Sequence, residues 1–71
     1  MTNYKCIVRL SGGQHKIVRG AQDVVAKINA AVQRARKSVF KSEEVVYGIA
    51  VAAIASVKFI NEYTGQVYLE I

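Results

Sequence analysis

Seventy-one residues, 52% of them apolar and none proline, are enough for one folded domain, but one that buries only roughly 60% of the surface its unfolded chain exposes and is marginal if it stands alone. The single cysteine, Cys6, excludes an intrachain disulfide, and with the single histidine, His15, it cannot complete a four-ligand structural zinc site; self-association is the remaining common remedy, and a homo-oligomer with no cofactor is expected. The net charge of +5 is unevenly placed: nine Lys or Arg and one acid from Met1 to Lys41 give +8, whereas Ser42–Ile71 carries −3, which points either to an anionic partner for the basic half or to attraction between opposite halves of neighbouring protomers.

The chain opens with MTNYKCIVRL, which holds no apolar run of the secretory type; with its lone thiol it fits a reducing, cytoplasmic setting. Tyr4–Leu10 alternates, with Tyr4, Cys6, Val8 and Leu10 on one face and Lys5, Ile7 and Arg9 on the other, so a strand is expected. A second strand is expected over Gln14–Arg19. Gly12-Gly13 fits a two-residue type I′ turn, whose central residues both need positive φ. That turn sets Leu10 opposite His15, Arg9 opposite Lys16, Val8 opposite Ile17 and Ile7 opposite Val18. The pairing gathers Lys5, Arg9 and Lys16 on one face, and the like-charge opposition of Arg9 and Lys16 is mildly destabilising unless an anion visits. Cations on a hairpin also discourage edge-to-edge aggregation.

A helix follows. Asp23 suits the first turn, and Val24, Val25, Ile28, Ala31, Val32, Ala35 and Val39 recur at helical spacing as one apolar stripe. Arg34, Arg36, Lys37 and Lys41 crowd the end, where cations complement the helix dipole; the same cluster is a candidate phosphate-contacting end. Ser42–Ile60 reads either as a helix capped by Ser42 or as two strands, about Val45–Val51 and Ala55–Ile60, kinked at Ala52–Ile54. Dense β-branched residues and Gly48 favour strands. Its longest apolar run, Val45–Val57, falls short of the ~20 residues that span a bilayer, so it is read as core and no membrane association is expected. Asn61–Gly65 then turns the chain into a last strand, Gln66–Ile71, with Phe59 opposite Val67, Val57 opposite Leu69 and Lys58 opposite Tyr68.

The expected architecture is α+β: a small antiparallel sheet with one amphipathic helix on one face, in the order β-β-α-β-β-β. The opposite face is left open, with Ile7, Val18, Ile60 and Tyr68 as interface residues among Lys5, Arg9, Lys16 and Lys58. An open, partly apolar face marks an interface.

Catalytic patterns are missing. Cys6 and His15 lie two pairs apart, Glu43-Glu44 is the one adjacent carboxylate pair, and SGGQHK lacks the spacing of a phosphate-binding loop. The chain is therefore read as a binding module and not an enzyme. Phosphate contacts come from Lys, Arg and backbone amides, and the candidate set is Lys5, Arg9, Lys16, Arg19, Arg34, Arg36 and Lys37. Tyr4, Tyr47, Tyr63 and Tyr68 offer rings for stacking on unpaired bases. No helix-turn-helix, RRM, KH or zinc-finger signature is present. In layout, a hairpin, a helix and a strand-rich end in a small basic chain, the sequence resembles the short proteins carried by phages and other mobile elements; no motif carries that resemblance and it implies no residue roles. Two functions follow as expectations: a homo-oligomeric module engaging nucleic acid, or a small inhibitory factor that docks on a host protein through its open sheet face.

Overall fold

Alternation along Tyr4–Leu10 produces strand β1, with Tyr4, Cys6 and Val8 buried on one side. Strand β2, His15–Gly20, returns antiparallel to it. The computed structural model describes residues 2–40 and 42–71; Lys41, grouped above with the helix-end cations, lies outside them. Helix α1 is Gln22–Lys37, and two-residue strands β3 (Val45–Val46) and β4 (Ile49–Ala50) follow. A single 3-10 turn at Val51–Ala53 leads into β5 (Ile54–Asn61), and β6 (Val67–Glu70) closes the chain. The main sheet is antiparallel in the order β2-β1-β5-β6, and β3 and β4 form a separate hairpin. The expected class and order hold, with one segment folded back on itself. No described helix is long and apolar enough to cross a membrane.

The β1–β2 register differs by one residue from the expected one. Ile7 faces Ile17, Cys6 faces Val18, Val8 faces Lys16 and Arg9 faces His15. The turn contains three residues, not two. Leu10 N–H bonds Gln14 O at 2.8 Å, Gly13 N–H bonds Leu10 O at 2.9 Å, and of the two glycines only Gly13 has positive φ, at 89°. This is a type I turn closed by a left-handed glycine. Ser11 is drawn into the loop, where its N–H bonds Ala53 O at 2.9 Å. At the other end of β2 the chain passes into α1 so closely that a side chain on Gly20 would run into Val24. Gly20 must therefore face the helix, and residues of the same parity, Val18 and Lys16, face that way too.

α1 buries Val25, Ile28, Ala31 and Val32, with Val24 and Ala35 half-buried beside them. Asp23 sits in its first turn, and Ala21 precedes it without a side-chain cap. Ser38 is extended, with φ −77° and ψ 136°. The stripe therefore ends before Val39, which is 91% exposed rather than packed.

Ser42–Ile60 is strand-rich, but Val45–Val51 is not one strand. It reverses at Tyr47-Gly48, where both residues have positive φ, 48° and 75°, as a two-residue hairpin turn requires. The reversal tucks Val46, Ile49 and Val51 into the core beside α1. Fully enclosed between helix and sheet are Cys6, Val8, Val57 and Phe59.

The β5–β6 register is likewise corrected. Phe59 faces Leu69, Lys58 faces Glu70, and Val57 exchanges two hydrogen bonds with Ile71. A bulge interrupts the ladder between Phe59 and Ile60, whose partner is Val67. Two residues on β6 thus span one step of β5, and Tyr68 is the extra one. The buried pairing stays apolar, with Leu69 and Ile71 packed against the core in the places assigned to Val67 and Leu69.

Candidate functional site

The face of the sheet away from α1 is covered by no described element. Lys5, Ile7 and Arg9 reach it from β1, and the register adds their partners His15, Ile17 and Arg19 from β2 and Ser56, Lys58 and Ile60 from β5. β6 contributes Val67 and Glu70. A shallow concavity of about 350 Å3 lies on this face, lined by Ile7, Arg9, His15, Ser56, Lys58 and Glu70. Ile7 and Ile60 are half-buried, whereas Ile17 is 50% and Val67 53% exposed.

Two acids moderate the charge. Glu62 pairs with Arg19 at 2.9 Å, which relieves the like-charge opposition of Arg19 and Lys5 across the strands. Glu70 stands opposite Lys58. Arg9 Nε donates to His15 Nε2 at 3.4 Å, so the imidazole nitrogen on that side accepts. Lys5 and Arg9 have no ion-pair partner among the described residues.

Of the anion-contact set, Lys5, Arg9 and Arg19 share the open face. Lys16 does not: opposite buried Val8, it points to the helix side. Arg34, Arg36 and Lys37 lie in the last turn of α1, across the sheet from Lys5 and Arg9. Arg34 is engaged there by Glu44 through contacts of 2.6 and 3.3 Å. These bonds and the charge behind them hold the guanidinium above its usual range and the carboxyl below its own. Arg36 Nη2 reaches Ala55 O at 3.5 Å. The hairpin and helix-end cations therefore make two surfaces rather than one.

Of the interface residues, Ile7 and Ile60 are on the open face, while Val18 packs against the core on the helix side. Tyr68 also turns to that side. Its ring lies 5.0 Å from that of Tyr4, and its hydroxyl accepts from Gln22 Nε2 at 3.4 Å. Of the four rings proposed for stacking, Tyr4 is buried, and Tyr47, partly exposed, lies 5.6 Å beneath the Lys27 ammonium. Tyr63, in the β5–β6 loop, is 71% exposed. Cys6 and His15 are on opposite faces of the sheet, so they cannot work as a pair; burial pushes the Cys6 thiol up to about 11. No three His, Cys, Asp or Glu side chains gather among the described residues.

Ile17, His15 and Arg19 reach the open face only through the slipped register. Gly13 was the available signal, since a left-handed glycine at the third position of a loop serves a three-residue turn as well as a two-residue one. No family model, curated protein or solved structure matches this chain, and the site is read from its own geometry.

Proposed function

We propose that this chain is a non-enzymatic, self-associating module that engages nucleic acid through the open face of its sheet. Lys5 and Arg9 at its centre contact phosphates, with His15, Arg19 and Lys58 around them. The observation that carries this reading is the gathering of four cations, Lys5, Arg9, Arg19 and Lys58, beside His15 on a sheet face that no described element covers. Two acids are present on it, and each faces a cation. The contacts are expected to be mainly with the backbone, because none of the strand residues placed on the face is aromatic. Affinity is then independent of sequence and falls linearly with log salt. Each phosphate contact removed lowers the slope by ~0.9 for duplex or ~0.7 for single strands. Lys5→Ala and Arg9→Ala, titrated against a labelled oligonucleotide at several salt concentrations, should each weaken binding and flatten the slope by about one contact. A salt-independent affinity, or slopes unchanged in both variants, sinks the reading.

The apolar seam of Ile7, Ile17, Ile60 and Val67 favours a second reading, a protein-docking factor in which the charges steer the approach. Capture of one protein partner that survives nuclease treatment and depends on Ile17 supports it over the first.

A further inference from the structure

We propose that copies of this chain associate head to tail, with edge strand β2 of one laid against edge strand β6 of the next. Strand direction, hydrogen-bond parity and charge lead to this pairing separately.

β2 and β6 are the two outer strands of the main sheet, and neither has a strand on its outer side among the described residues. Three antiparallel pairings separate them, so they run in opposite senses. A second copy placed alongside without inversion therefore brings its β2 antiparallel to β6, and the antiparallel ladder continues across the junction.

Hydrogen-bond parity agrees. Leu10 N–H bonds Gln14 O, and alternation along the strand then turns the backbone groups of Lys16, Val18 and Gly20 toward β1 and those of His15, Ile17 and Arg19 outward. On β6, Ile71 exchanges both its bonds with Val57, so the N–H and C=O of Glu70 point outward. The outward residues of both edges carry their side chains on the open face: Glu70 is opposite Lys58, and His15, Ile17 and Arg19 are opposite Arg9, Ile7 and Lys5. Joining Glu70 to one of these three satisfies backbone bonds and keeps the open faces on the same side of the junction. A register one residue off does neither.

Charge selects this pairing over the symmetric ones. β2 carries His15, Lys16 and Arg19 and no acid; β6 carries Glu70 and no base. Two β2 strands side by side gather the cations of both copies along one junction with no acid on either strand to offset them. Two β6 strands joined at their outward groups set Glu70 against Glu70. Like charge concentrated at the junction disfavours both. The cations of β2 thus act against self-pairing of that edge while remaining complementary to the other edge. Such an interface is heterologous and leaves a free edge at each end, so it propagates. A twist of roughly 20–25° per strand turns each four-strand copy about a quarter turn relative to the last, so the growing ribbon winds.

The test uses the full chain after nuclease treatment, so its outcome is independent of nucleic-acid binding. Ile17→Pro removes an outward N–H from β2, and Glu70→Pro removes one from β6; proline is tolerated on the outer side of an edge strand. By sedimentation, the wild-type mass should rise with concentration past the dimer and fall with salt. Each variant alone should be monomeric. Their equimolar mixture, which holds one intact edge of each kind, should form a dimer and stop there. A wild type monomeric to millimolar concentration, a variant that associates as the wild type does, or a mixture that stays monomeric overturns the proposal. If a proline variant has lost its fold by circular dichroism, Glu70→Lys serves with the backbone intact. It should weaken association at least tenfold, and an unchanged mass profile overturns the proposal equally.

Discussion

Cys6 shows what the fold does to a single residue. Its side chain is wholly enclosed between sheet and helix, and burial raises the thiol from 9.0 to about 11. The unfolded chain ionises at the lower value, so the buried neutral thiol adds stability that is present in full below pH 9 and is lost as pH climbs toward 11. Two pK units correspond to at most about 3 kcal/mol. Cys6→Ala, although less stable at neutral pH because it leaves a small cavity, should lose less stability than the wild type between pH 9 and 11 in denaturant titrations. Every other side chain is common to the two proteins and cancels in the comparison. The same enclosure makes the wild-type thiol inert, so labelling at pH 8 should track global unfolding; prompt labelling of the folded protein contradicts the assignment. Neither effect is readable from the residue type, which the sequence presents only as a lone cysteine in an alternating strand.

At the scale of elements, α1 was legible because its apolar residues repeat at the helical period and Asp23 marks its start. Its end was not: Val39 fits the period, but Ser38 leaves the helix and takes Val39 out with it. The strand nature of Ser42–Ile60 was legible from β-branching, whereas the reversal at Tyr47-Gly48 was masked by the continuity of the apolar run. The hairpin register turned on one residue. Gly12-Gly13 suits two turns of different length, and local geometry alone does not choose between them. The three-residue turn is compatible with the junction of β2 and α1, where Gly20 faces the helix and a Cβ on it would run into Val24 Cγ2 and lie 3.0 Å from Val24 Cβ. Gly20→Ala should therefore destabilise by about 1–3 kcal/mol through overpacking, measured by thermal or urea unfolding. An Ala variant as stable as the wild type removes this account of the close approach.

For the whole molecule, the register decides which cations share a surface. Lys5, Arg9 and Arg19 come together on the open face, Lys16 is carried to the helix side, and Arg34, Arg36 and Lys37 lie beyond the sheet. If the open face is the binding surface, Lys5→Glu with Arg9→Glu should weaken oligonucleotide binding at least tenfold at low salt, while Arg36→Glu with Lys37→Glu, the same change in net charge, should leave most of the affinity. Equal losses would show that net charge and not the face carries binding. The sequence by itself determined the α+β class, the helix stripe, the segments that become strands and the excess of cations in the first half, because period, β-branching and charge are properties of neighbours along the chain. Only the tertiary structure decided which cations face the same way. A strand's two faces are exchanged by a one-residue slip, and in the folded chain that slip goes with a three-residue turn at one end of β2 and the close approach of Gly20 to the following helix at the other.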